Sequence, residues 1–326
     1  MKNSLVDVPG IRVGHCTNAE AGTGCTVVLC GKGVTGGVDV RGGAPGSREI
    51  PCLDPVNFVE TVHAVYLGGG SAYGLDGASG VMQYLEEQEI GLDVGVGLVP
   101  IVPGAVLFDL PLGSSKVRPD KDMGYKACLN ARGDFIEEGS VGAGTGATVG
   151  KAAGMEYAMK GGVGSASFIS GDLIVSALAA VNCLGDVIDP DTGGKIAGML
   201  DKDGKSLSST MDYLTSAPDS KAKAFSGNTT LGVVATNAKL SKSGATKVAQ
   251  MAHDGYARAI NPIHTLFDGD TVFCLATGEV ESDLTTLGSI AAMVMAKAIA
   301  GGARAAESLF EIPAYRDIVK KQEETL

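Results

Sequence analysis

SGNTTLGVVATN, residues 226–237, is the stretch from which the rest of this chain is read. Ser226, Gly227 and Asn228 make a turn, and Thr229 and Thr230 are a hydroxyl pair. Leu231, Gly232, Val233, Val234, Ala235 and Thr236 then have the composition of a strand. A hydroxyl residue that opens a buried strand just after Gly-Asn is where a self-cleaving hydrolase would place its nucleophile. If the Asn228–Thr229 bond is cut by the protein itself, Thr229 becomes a new N-terminus. A Thr hydroxyl is a weak nucleophile until a base takes its proton. The freed α-amine of the same residue, with a pKa near ~8, lies within reach. The same hydroxyl would make the cut: it attacks the carbonyl of Asn228, an N-to-O acyl shift gives an ester, and water hydrolyses it. Gly227 allows the tight turn this attack needs. The competing reading is plain strand composition, since β-branched Thr suits strands in any case.

Outward from this stretch the chain alternates strands and helices. Residues 201–225 are polar and charged and read as a linker that would let new ends separate after a cut. Residues 165–169 and 173–182 read as two strands of a hairpin across Ser170-Gly171-Asp172, with Asn182 where the second runs out. Downstream, Ser243 is a candidate N-cap. Ala245, Val248, Ala249, Ala252, Tyr256, Ala259 and Ile260 form the apolar face of the helix behind it. A strand follows at 271–278, then a long apolar helix at about 284–307. Nearer the start, residues 62–67 form a short apolar strand, and a glycine-opened helix carries Leu75, Ala78, Met82 and Leu85 at helical spacing.

Composition limits the function classes. The 326 residues are 44% hydrophobic, enough for a large core. Glycine, 48 residues, is at about twice its usual share and lies among apolar runs, which indicates tight turns and close packing, not disorder. Trp is absent, aromatics are 5% and the net charge is −11, so a nucleic-acid partner is not expected. The seven cysteines are scattered without a CxxC pair, as for buried free thiols in a reducing cytosol. The N-terminus lacks an apolar signal core, and apolar runs are broken by glycine or charge before the ~18 residues of a membrane span. A soluble, cytoplasmic protein is the expectation.

Several motifs fall short. Residues 141–154, VGAGTGATVGKAAG, look like a phosphate cradle, but Lys151 is followed by Ala152 where a P-loop has Ser or Thr. GGGSAYG lacks dinucleotide-fingerprint spacing, and DVIDPDTGG lacks the Glu of a calcium loop. There is no G-x-S-x-G elbow and no H-E-x-x-H, so neither a cofactor nor a metal is expected. Of four histidines only His264, in a loop near two acids, stands out. The glycine-rich loop at 33–49 carries Arg41 and Arg48; it is either a surface loop or a pocket wall with an arginine for a carboxylate.

The chain resembles the self-processing aminopeptidases: the L-aminopeptidase/D-esterases, D-aminopeptidases and β-peptidyl aminopeptidases. The resemblance is carried in order by VDVRGGAPGSRE (38–49), GGGSAYGLDGASGVMQYLEE (68–87), VPIVPGAVLFDL (99–110), VGAGTGATVGKAAG (141–154), GNTTLGVVATN (227–237) and INPIHTLFDGDTVFCLATG (260–278). It implies an α/β fold, a layered αββα sandwich like that of N-terminal nucleophile hydrolases but differently connected. It implies one domain, residues 1–326, processed into chains 1–228 and 229–326. It implies Thr229 as nucleophile where many members have Ser, Asn182 as oxyanion donor, and Tyr157, before a K-G-G turn, as an active-site residue. The hydroxyl-Gly-acid element of the family reads Asp268-Gly269-Asp270 here; Asp270 keeps the acid and Asp268 departs from Ser. Two such carboxylates suit the α-ammonium of Thr229 or the amine of a substrate. The implied activity is hydrolysis of the N-terminal residue of short peptides, amides or esters through an acyl-enzyme, in a homo-oligomer. The alternative is an acyltransferase of the ornithine acetyltransferase kind, which shares the self-cleavage.

Overall fold

The computed structural model describes residues 2–204, 206–216 and 227–323. Nine strands form one hydrogen-bonded sheet: β1 (Arg12–Asn18), β2 (Thr23–Val40), β3 (Gly46–Arg48), β4 (Thr61–Gly68), β5 (Gly104–Val106), β6 (Val163–Ser170), β7 (Leu173–Asn182), β8 (Thr229–Ala238) and β9 (Thr271–Val280). Their order is β6-β7-β8-β9-β2-β4-β5-β3, with β1 on β2. The β8–β9 and β4–β5 pairs are parallel.

The long strand β2 divides this sheet in two. Its second part pairs with β9 from Thr35 to Val40, and its first part pairs with β4 from Cys25 to Leu29. The register breaks between Leu29 and Val34, where Gly31 and Gly33 have positive φ. The left-handed backbone there lets the strand turn a corner at little steric cost. The sheet therefore doubles back as two stacked layers. Side-chain alternation shows the result. Leu231, Val233, Phe273 and Leu275 from one layer share a buried core with Val28, Val65 and Leu67 from the other. Each such side chain stabilises the fold by roughly 1.5–3 kcal/mol through burial.

Helices cover both outer faces. Helices α1 (Gly77–Glu87) and α2 (Lys121–Leu129) pack on Val27, Leu29 and Tyr66. After the short α3 (Thr210–Ser216), helices α4 (Lys242–Ala259) and α5 (Leu284–Ala305) pack on Val234, Val272 and Cys274. Helix α6 (Tyr315–Glu323) follows. The architecture is the αββα sandwich expected. The hairpin around Gly171 forms with Ser170 opposite Leu173.

Three local expectations shift. Ser241, not Ser243, caps α4, its hydroxyl accepting from the Gly244 N–H at 3.2 Å. Helix α5 is long and apolar enough by length and composition to cross a membrane, although the sequence reading found no such run. Leu287, Ala291, Met295 and Ile299 of α5 are buried in the core between helix and sheet. Of the expected linker, α3 occupies 210–216, while residues 205 and 217–225 lie outside the described residues, as does Ser226.

Candidate active site

Strand direction gathers the candidate residues. Because β8 and β9 are parallel, Thr229 and the Asp268-Gly269-Asp270 segment sit at the same end of the sheet. Because β7 is antiparallel to β8, its last residue arrives there too, and Asn182 is the register partner of Thr229. An isolated parallel bridge joins Asn228 to Asp268.

Thr229 and Asn228 are buried, and the Thr229 hydroxyl contacts the carbonyl oxygen of Asn228. The Gly269 N–H donates to Thr229 Oγ1 at 3.1 Å and to the Asn228 carbonyl at 3.2 Å. One backbone donor thus serves both the Thr229 hydroxyl and the carbonyl beside it. Asp270 accepts the Thr230 N–H on Oδ1 at 2.7 Å. Its Oδ2 takes the His264 N–H at 3.2 Å and lies 2.9 Å from His264 Nδ1. Asp268 Oδ2 accepts the Thr265 N–H at 2.9 Å and the Thr265 hydroxyl, while its buried Oδ1 has no partner among the described residues. Burial, then the negative charge of Asp270, pushes the Asp268 carboxyl up to about 6.

Asn182 is held by a residue the sequence reading passed over. Lys151 is buried, and its Nζ donates to Asn182 Oδ1 at 2.9 Å and to the Asn182 carbonyl at 3.1 Å. The Thr148 N–H also donates to Oδ1, at 2.9 Å. With Oδ1 engaged by donors, the amide orientation follows: Nδ2 points the other way and donates to the Phe108 carbonyl at 3.1 Å. Burial pulls the Lys151 ammonium down to about 8, against the opposing pull of Cys183, Asp268 and Asp109. The signal was there in the sequence: a lone cation in an otherwise small and apolar run, GATVGKAAG, must find partners if it is buried.

The other candidates fall elsewhere. Tyr157 lines a separate cavity of about 320 Å³ with Glu156, Met199, Lys202 and Tyr213, and is not among the residues around Thr229. Arg41 pairs with Asp39 and donates to the Gln250 carbonyl; Arg48 donates to Ser79. Neither lines the Thr229 cavity, although Ala44, Pro45 and Gly46 of the same loop do. That cavity, about 250 Å³, is mostly apolar, with Val106, Leu107, Phe108 and Phe267 in its wall beside Thr229. Among the described residues no carboxylate lines it; Asp268 and Asp270 are not in its wall. A larger depression of about 790 Å³, between Lys2, Asp134, Asp189 and Arg304, contains none of the site residues. Among the described residues no group of three or more His, Cys, Asp or Glu is placed to hold a metal ion.

The chain matches known proteins over nearly its whole length. The profile of peptidase family S58 matches residues 3–312. An uncharacterized aminopeptidase of Mycobacterium tuberculosis is 44% identical, over 97% of this chain and 98% of the relative. A 6-aminohexanoate-oligomer endohydrolase of a Kocuria species is 32% identical, over 94% of this chain and 83% of the relative. Two solved structures share the fold, each over 99% of this chain and 94% of the other. They are a β-aminopeptidase of a Burkholderia species, with TM-score 0.70 and 20% identity, and the L-aminopeptidase D-Ala-esterase/amidase of Ochrobactrum anthropi, with TM-score 0.70 and 17% identity. The latter is described as a variant of the N-terminal nucleophile hydrolase fold.

Proposed function

The chain belongs to peptidase family S58 and is a hydrolase of the aminopeptidase kind, and from that premise we propose that it cleaves itself at Asn228–Thr229 and then works through Thr229. The chains produced are 1–228 and 229–326. In processing, Thr229 Oγ1 attacks the Asn228 carbonyl, the C–N bond breaks as the ester forms, and water hydrolyses the ester. In turnover the freed α-amine takes the hydroxyl proton, and Oγ1 attacks a substrate carbonyl. The departing amine receives that proton, and water releases the acyl product. Substrates are short peptides, amides or esters.

The observation that carries this reading is the Gly269 N–H, donating at once to Thr229 Oγ1 and to the Asn228 carbonyl that Oγ1 contacts. A donor already on that oxygen suits the charge that develops there in the tetrahedral intermediate. Asn182 Nδ2, oriented by Lys151 and Thr148, is the second donor in this reading. Asp268, with its unpartnered Oδ1 and its bridge to Asn228, is the acceptor for the new α-ammonium. The Lys151 charge beside Asn182 disfavours a second cation and holds the amine nearer its neutral, basic form.

The intact mass of the purified protein tests this. Two fragments meeting at Asn228–Thr229 are expected in place of one 33.0 kDa chain. A Thr229→Ala variant is expected to stay whole and inactive on aminoacyl nitroanilides. Splitting of that variant at the same bond removes Thr229 from the mechanism.

A further inference from the structure

The uncut chain occupies its own site, so it shows how an acyl chain is seated there. This step rests on Thr229 acting in both processing and turnover. In that reading the ester formed on Oγ1 by a substrate has the same connections as the ester formed by Asn228, so the two acyl groups take the same seat. Asn228 then marks the seat of the acyl residue, and Gly227 marks the seat of whatever precedes it.

Four features describe those seats. The Asn228 N–H donates to the Phe267 carbonyl at 3.3 Å, a backbone contact that a peptide N–H satisfies as well as an ammonium does. Among the described residues no carboxylate lines the cavity, so none of them demands a charged amine there. The buried side chain of Asn228 finds no hydrogen-bond partner at either Oδ1 or Nδ2 among the described residues, so this seat suits an apolar residue. Gly227 is pressed against Phe108. A Cβ added at Gly227 would come within 2.6 Å of Phe108 Cβ and 2.7 Å of its Cδ2, and closer still to Cγ. Phe108 Cβ is fixed by the backbone, so a rotamer change relieves the contacts with Cγ and Cδ2 but not the one at 2.6 Å.

From this we propose that the mature enzyme has a second subsite ahead of the acyl residue, shaped by Phe108. It takes glycine and rejects L-residues that carry a side chain, so the enzyme releases Gly-Xaa dipeptides as well as single residues. The chemistry is unchanged. An ester forms between Thr229 Oγ1 and the carbonyl of Xaa as its C–N bond breaks, the leaving amine takes the hydroxyl proton, and water frees the dipeptide.

The test compares Leu-, Gly-Leu- and Ala-Leu-p-nitroanilide on the self-cleaved enzyme, with the first acyl product identified by mass spectrometry. Gly-Leu-p-nitroanilide is expected to give the intact dipeptide Gly-Leu together with p-nitroaniline. Ala-Leu-p-nitroanilide is expected to react by this route at least about tenfold more slowly. Phe108→Ala and Phe108→Leu should each narrow the Gly-Leu to Ala-Leu ratio of kcat/KM. Free glycine as the sole first product, equal rates on the two dipeptides, or an unchanged ratio in both variants overturns the proposal. Turnover of Leu-p-nitroanilide alone overturns it while leaving the Thr229 reading intact. An uncut chain inactive on all three removes both.

Discussion

At the scale of single residues, the site depends on a buried cation that orients a neutral amide. Lys151 and the Thr148 N–H occupy Asn182 Oδ1, which commits Nδ2 to face the Phe108 side. An amide free to flip would present an acceptor to a developing oxyanion half of the time. Asn182→Ala should therefore lower kcat by about 10²–10³, the usual cost of one oxyanion donor. Lys151→Met, which keeps length but removes the donor, should lower kcat by a smaller factor with KM little changed. Steady-state kinetics on an aminoacyl nitroanilide checks both. A raised KM with kcat kept in Lys151→Met means that Lys151 acts on substrate binding and not on the amide.

At the scale of elements, two features set where Thr229 lies. The parallel pairing of β8 with β9 brings their starts together, and the corner in β2 stacks the β4 layer, with β5 between β4 and the edge strand β3, over the β8 layer. As a result Val106, at the end of β5, and the following Leu107 and Phe108 form a wall of the Thr229 cavity. Helix α4 buttresses this arrangement from outside: Tyr256 donates its hydroxyl to the Thr230 carbonyl at 3.2 Å. The start of α4 rests on the Ser241 cap, since the first N–H groups of a helix have no partner within it. Ser241→Ala should cost about 1 kcal/mol in denaturant unfolding. Ser243→Ala, one residue inside the helix, should cost clearly less; equal costs would mean that the cap is shared.

At the scale of the whole molecule, the buried imidazoles tie stability to pH. His253, on α4, is buried with Nε2 3.2 Å from the Asp39 carbonyl. Burial pulls it down to about 4. Its folded pKa lies below the unfolded value, so its contribution is fully present above about 6.5 and is lost as pH falls toward about 4. Asp268 shifts the opposite way. Its carboxyl is raised to about 6, so its burial favours the fold below about 3.8 and that gain is lost as pH rises through about 6. The His253 term is isolated by difference. Across pH 6.5 to 4 the unfolding free energy of His253→Gln should fall less steeply than that of the parent chain. Parallel slopes would show that His253 is not the group titrating.

The sequence by itself carried the alternation of apolar residues that makes the strands and helices, because side-chain period follows from local backbone geometry. It also carried Thr229 as a hydroxyl between a turn and a strand, while Asn182 and the two aspartates stood out only through the resemblance to the self-processing aminopeptidases. Only the tertiary structure decided which of these meet. Lys151 was hidden in a glycine-rich run because its role comes from burial against Asn182, 31 residues further on. Tyr157 lines another cavity, with Met199 and Tyr213, because adjacency in a motif does not fix where a side chain lies in the fold. Phe108, in a stretch that carried only the family resemblance, became a wall of the Thr229 cavity because β2 bends and stacks one layer on the other. Asn228–Thr229 began as a bond between a turn and a strand. The fold added what a linear pattern cannot hold: a donor from residue 269 aimed at both the hydroxyl and the carbonyl.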